Sequence, residues 1–131
     1  MYGFIVLQEI NKIYKHFIND GLYSDYKSRT YLKKGFSLNK IRHSLIKKGI
    51  NEKYIKASIS KIKKDESDPD FFSAIKLCKK RRIGAIREEN NRALFYKKDI
   101  GILARSGFSY EISKKVLDIP REEFKKFCKL L

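Results

Sequence analysis

The sequence predicts an all-α protein of short antiparallel helices in related units, and three observations predict it. A glycine followed by a large apolar residue recurs at Gly21-Leu22, Gly35-Phe36, Gly49-Ile50 and Gly107-Phe108, the first three spaced by 14 residues. A glycine just past a helix can take positive φ without a Cβ clash, and its apolar neighbour packs back on the last turn, so each junction reads as a helix end. Between the junctions apolar residues recur at three- and four-residue spacing, and no stretch alternates as a strand does. Finally, Leu32-Lys33-Lys34-Gly35-Phe36-Ser37 is echoed 72 residues on by Ala104-Arg105-Ser106-Gly107-Phe108-Ser109. Each copy follows a basic helical stretch and precedes an amphipathic one, which predicts two related helical units.

Taken in order, Leu7, Ile10, Ile13, Tyr14, Phe17 and Ile18 form the apolar stripe of a first helix ending at Gly21. Ser24, Ser37, Asn51 and Ser109 stand where side-chain oxygens can accept the free N–H groups of the helices that follow. The helix after Ser37 runs from about Leu38 to Lys48 with Leu38, Ile41 and Leu45 inward, and the one after Asn51 turns Ile55, Ile59 and Ile62 inward. Asp68-Pro69-Asp70 opens another, with Pro69 at the first helical position and acids at the positive end of the helix, feeding Phe71, Phe72, Ile75 and Cys78. A loop at Arg82 to Ala85 leads to one helix from about Glu88 to Ser106, and Ser109 begins one carrying Ile112 and Val116. Pro120 starts the last, with Glu122 and Glu123 in its first turn and Phe124, Phe127, Cys128 and Leu131 on one face.

Composition narrows the class. A chain of 131 residues that is 42% hydrophobic and 35% charged suits one folded domain or a short array rather than a disordered chain. Its net charge of +16 is segregated: residues 1–21 are neutral, 22–64 carry +11 and 65–131 carry +5. A uniform compositional bias towards lysine does not segregate charge, so the middle third reads as a surface for a polyanion, either nucleic acid or an acidic protein groove. Cys78 and Cys128 sit singly on apolar faces, where free cysteine acts as a small hydrophobe, and this fits a reducing, cytoplasmic compartment. The apolar run Gly3 to Leu7 is too short for a membrane span and has no basic segment before it, so neither a signal peptide nor a membrane partner is expected.

Catalytic and cofactor chemistries find no footing. His16, His43, Cys78 and Cys128 are scattered, without the paired spacing of a zinc site, and the seven dispersed glycines form no phosphate-cradling loop. The acids from Asp65 to Asp70 lack the alternating ligands of a calcium loop and read as helix-start charge. No nucleophile stands beside a base. The expectation is a binding protein that is not an enzyme and takes no cofactor, metal or small-molecule substrate.

The candidate binding residues follow from helix geometry. At 100° per residue, Lys40 and Lys47 fall opposite Leu38, Ile41 and Leu45, together with His43. Arg29 and Lys33 share a face of the preceding helix, Lys34 closes its last turn, and Arg42 adds a further charge. If the two helices are neighbours, these residues merge into one basic stripe. Lys79-Lys80-Arg81-Arg82 forms a second patch at a helix C-terminus, where cations also complement the helix dipole. Tyr26, Tyr31 and Phe36 could stack on bases, although core packing is their commoner fate.

Three stretches resemble the RecX family of bacterial recombinase regulators: Ile18 to Asp25; Lys34-Gly35-Phe36-Ser37-Leu38-Asn39-Lys40-Ile41-Arg42 on through His43 to Gly49-Ile50; and Ala104 to Ile112. The middle block is the most specific. The resemblance implies tandem three-helix repeats in a modular array, a cytoplasmic protein without cofactor that acts in DNA repair, recombination and the SOS response, and binding along the groove of a RecA filament on DNA. It divides the chain into residues 1–21 as the remnant of a first repeat, 22–66 as a central basic repeat and 67–131 as a C-terminal repeat with an extra terminal helix. The helix before Gly35 looks about a turn shorter than the family's. The competing reading is a basic helical module that binds single- or double-stranded nucleic acid directly, in the manner of a helix-turn-helix domain, although no polar recognition helix stands out.

Overall fold

The structure, a computed structural model, describes residues 20–131. Among them eight α-helices follow one another: α1 Asp20–Lys33, α2 Leu38–Lys47, α3 Glu52–Asp65, α4 Pro69–Arg81, α5 Glu89–Leu94, α6 Tyr96–Arg105, α7 Tyr110–Leu117 and α8 Arg121–Lys129. A 3₁₀ turn, Gly84–Ile86, lies between α4 and α5, and no strand occurs among the described residues. The all-helical expectation holds. The predicted stripe from Leu7 to Ile18, His16 and the run Gly3 to Leu7 lie outside the described residues.

The sequence reading misplaced the first junction. Gly21 is inside α1, Leu22 is exposed, and Ser24 is a buried helical residue rather than a cap. Consequently α1 already runs at Asp20, the first described residue, and is a turn longer than the sequence suggested. The reason is chemical. The buried side of α1 carries Ser24 and Ser28 instead of an apolar stripe, and these small residues let α3 approach closely. The Ser24 Oγ lies 2.7 Å from the Ser58 Oγ, which itself donates to Asp25 Oδ1 at 2.6 Å, while Lys61 pairs with Asp25 Oδ2 at 2.7 Å. Because Ser58 spends its one proton on Asp25, Ser24 supplies the proton between the two hydroxyls and shares it with the Tyr54 carbonyl at 3.2 Å.

Two apolar clusters form. Ile41, Leu45, Ile50 and Ile55 are buried among α1, α2 and α3, with Tyr31, Phe36 and Tyr54 at their margin. A larger cluster joins Phe71, Ile75 and Cys78 of α4 to Leu103 of α6, Phe108 of the turn that follows it, Val116 and Leu117 of α7 and Phe124 of α8. Each fully buried aliphatic or aromatic side chain adds about 1.5–3 kcal/mol.

The echoed triplets meet between the clusters. Gly35 and Gly107 adopt φ of +90° and +92°, ending α1 and α6 as expected. Ser37 and Ser109 cap α2 and α7 by accepting the Lys40 and Ile112 N–H groups. The Ser37 hydroxyl also donates to the Ser106 carbonyl at 2.8 Å, and a Cβ on Gly107 would stand 2.5 Å from the Ser37 Oγ. Asp70 serves the same joint. Its Oδ1 accepts the Leu38 N–H at 2.8 Å, so this acid caps α2 rather than its own helix.

Three smaller corrections follow. The predicted helix from Glu88 to Ser106 is broken at Phe95 into α5 and α6. The predicted loop at Arg82 to Ala85 folds inward: Ile83 and Ala85 are buried, and the 3₁₀ turn begins at Gly84. Leu131, expected on the core face of the last helix, lies beyond its end and is 44% exposed.

Candidate functional site

On α2, Lys40, His43 and Lys47 are exposed opposite the buried Ile41 and Leu45, as 3.6-residue geometry requires. Lys33 and Lys34 at the end of α1 are exposed as well. None of these five forms an ion pair with a described residue. The two arginines behave differently. Arg29 pairs with Asp65 of α3 at 2.5 Å, and Arg42 pairs with Glu52 at the start of α3. Both pairs are partly solvated and add little stability, about 0–1 kcal/mol each, but they orient the guanidinium groups along the protein. Composition and spacing pointed to these residues without showing which charges were engaged.

The helices α1 and α2 pack together, and an aromatic stack bridges them. Tyr31 and Phe36 lie face to face with centroids 4.8 Å apart and ring planes within 2°. Lys40 of α2 sits over Phe36 at 4.1 Å, and Lys27 of α1 over Tyr31 at 5.8 Å. Two cations thus lie over one partly buried stack, an arrangement that orients their heads through the ring quadrupoles. Sequence reasoning missed Lys27. Its signal was the spacing Lys27, Tyr31, with Lys40 four residues after Phe36, which places each lysine one helical turn from a ring. Tyr31 and Phe36 are occupied by each other. Tyr26, by contrast, is 69% exposed on the outward face shared by Arg29 and Lys33.

In the second patch Lys79, Lys80, Arg81 and Arg82 are all exposed at the end of α4. Arg82 takes the left-handed conformation, φ 56°, that glycine usually supplies at a helix end, while the Ile83 N–H returns to the Cys78 carbonyl. What holds the chain after it is Asp99, which the sequence reading also missed. This carboxylate, 1% exposed, accepts the Gly84 N–H at 2.9 Å and both Nε and Nη2 of Arg87, at 2.8 and 2.9 Å. The Asp99 hydrogen bond raises the Arg87 pKa above its ordinary value despite partial burial. A lone acid among lysines gave no hint of this clamp in the sequence.

Among the described residues no group of three or more His, Cys, Asp or Glu side chains could hold a metal, and no helix is long and apolar enough to cross a membrane. Burial pushes the Cys78 thiol up to about 12, with the nearby Asp99 and Cys128 adding to it, so this thiol is not a nucleophile near neutral pH. A cavity of about 310 Å³ between the clusters is lined by Leu32, Lys33, Phe72, Lys76 and Leu131 among others, which puts one predicted site residue, Lys33, on its wall.

No family model and no solved structure matches the chain. A curated relative does: the regulatory protein RecX of Myxococcus xanthus (strain DK1622) is 31% identical over 106 residues, covering 77% of this chain and 54% of the relative. The chain therefore spans about half the length of the curated relative it matches. The alignment extends the resemblance carried by the Gly35 and Gly107 blocks across most of an all-helical tandem arrangement, and the chain belongs to the RecX family.

Proposed function

We propose that this protein is a RecX-like regulator that binds in the groove of a RecA filament on DNA and restrains the recombinase. The observation that carries the reading is the exposed basic surface of α1 and α2. Lys33, Lys34, Lys40, His43 and Lys47 face solvent without an acidic partner among the described residues, while Lys27 and Lys40 lie over the two rings of one aromatic stack. Such a surface suits a groove lined with phosphates and acidic side chains, because it brings fixed charge without rearrangement. The relative's name, a regulatory protein RecX, supports the same reading. We further propose that the two apolar clusters are two repeats, joined where the echoed triplets meet at Ser37 and Gly107. In this reading the protein works by binding alone.

A second reading, direct binding to single-stranded nucleic acid, is favoured by Tyr26. An exposed ring beside Arg29 and Lys33 is the combination that stacks on a base and holds its phosphate. The rate of RecA ATP hydrolysis on single-stranded DNA, titrated with this protein, separates the two. Inhibition below one protein per recombinase supports the filament regulator. An unchanged rate, with direct DNA binding that weakens steeply with salt, supports the second.

A further inference from the structure

We propose that the groove between α8, the C-terminal end of α4 and the Gly84–Ile86 turn docks an acidic amphipathic segment of a partner protein. The inference goes beyond the proposed function and uses none of the α1 and α2 residues. The groove encloses about 390 Å³ and is floored by Ile86, Phe124 and Cys128. Phe124 is 1% exposed and Ile86 and Cys128 are half-buried, so the apolar atoms lie below the rim. The rim is cationic, formed by Lys79, Arg121, Lys125, Lys126 and Lys129. Its one acid, Glu122, lies 3.8 Å from Lys125 and is offset by it.

Helical spacing explains this shape. Arg121, Lys125 and Lys129 form one row at four-residue spacing, and Phe124 and Cys128 form the adjacent row that faces α4. Lys79, the first residue of the basic run at the end of α4, closes the opposite side. A volume near the low end of ligand sites, about 300–1,000 Å³, accommodates one or two apolar anchor side chains rather than a large cofactor.

The charge and the floor together select the partner. A nucleic-acid backbone satisfies the lysines but offers nothing to fill an apolar floor. An anionic membrane surface is flat, and the floor is recessed beneath lysine side chains. A peptide with Leu or Phe at one-turn spacing and Glu or Asp between fills the floor with its apolar face and meets the rim with its carboxylates, the helix-in-groove mode of recognition.

The test uses the full chain and a fluorescent synthetic peptide of about 15 residues made only of Leu, Phe, Glu and Asp, with apolar residues at helical spacing. A second peptide of equal charge carries Ser in place of Leu and Phe. Anisotropy titrations are expected to show the apolar peptide binding at least about tenfold tighter than its serine counterpart. The exposed pair K125E/K129E is expected to lose at least about tenfold of that affinity while keeping wild-type helicity. Equal binding of the two peptides, or undiminished binding by K125E/K129E, overturns the proposal. So does a thymidine oligonucleotide or an anionic phosphatidylglycerol vesicle that binds through Lys125 and Lys129 when the apolar peptide does not, because this hands the groove to a phosphate ligand.

Discussion

The Ser37 hydroxyl donates to the Ser106 carbonyl at 2.8 Å while accepting the Lys40 N–H at 3.0 Å. A single side chain thereby caps α2 and ties it to the end of α6, from which Gly107 turns away. Each of the two Gly-Phe-Ser triplets contributes one residue to this joint, which is why Gly107 has no room for a side chain and Ser37 cannot lose its hydroxyl without loosening the joint.

Gly107→Ala is expected to destabilise the protein by about 2–4 kcal/mol. The added Cβ meets the Ser37 Oγ at 2.5 Å, and an L side chain at φ +92° costs a further strain of about 1–3 kcal/mol. Ser37→Ala removes the cap and the joint, at about 0.5–2 kcal/mol. Because it also removes the atom that clashes, the double variant should lose less than the two single losses together. Urea denaturation of the four proteins measures this coupling.

Asp99→Ala is expected to cost about 3–5 kcal/mol, since it strands the Gly84 N–H and leaves a largely buried Arg87 without its partner. Asp99→Asn keeps the shape but loses the charge and should fall between that variant and the native protein. Thermal unfolding gives the order.

Stability should fall in acid through Asp25. Burial acts to raise its pKa, but hydrogen bonds from Lys61 and Ser58 and the charges of Lys61 and Arg29 outweigh it, and the net shift is downward. A carboxylate whose folded pKa lies below its unfolded one adds stability above the unfolded value, about 4, and loses it as pH falls through the folded value. Asp25→Asn should therefore flatten the loss of stability measured between about pH 5 and pH 2.

The two thiols should label in order. With a pKa of about 12, Cys78 is thiolate in only about one molecule in 10⁴ at pH 8, and it is fully buried. Cys128 is also raised, mainly by burial, but is half-exposed. Iodoacetamide followed by mass spectrometry should modify Cys128 first and Cys78 only when urea unfolds the chain.

Much of the helical order is legible in the sequence because it rests on local chemistry. Gly35 and Gly107 end helices for a steric reason, and Ser37, Asn51 and Ser109 begin them by accepting free N–H groups. Gly21 and Ser24 mislead because α1 buries hydroxyls, which imitate a turn in the sequence; Ser24 is satisfied across the helix pair by Ser58 and the Tyr54 carbonyl, and Ser28 by the Asp25 carbonyl of its own helix. The outward placement of Lys40, His43 and Lys47 is readable from the 3.6-residue period. The tethering of Arg29 and Arg42 and the Asp99 clamp are not, since each depends on a partner outside its own helix, whereas the Lys27 end of the aromatic stack is readable from its four-residue spacing to Tyr31.

The central claim is tested most directly by charge reversal on α2. Lys40→Glu with Lys47→Glu leaves the buried face of the helix untouched, so the fold should persist by circular dichroism. The rate of RecA ATP hydrolysis on single-stranded DNA is then measured against increasing native or doubly reversed protein. The account predicts inhibition by the native protein below one copy per recombinase, and at least about tenfold more of the reversed protein for the same effect. Equal inhibition by the two proteins, or none by the native one, would contradict it.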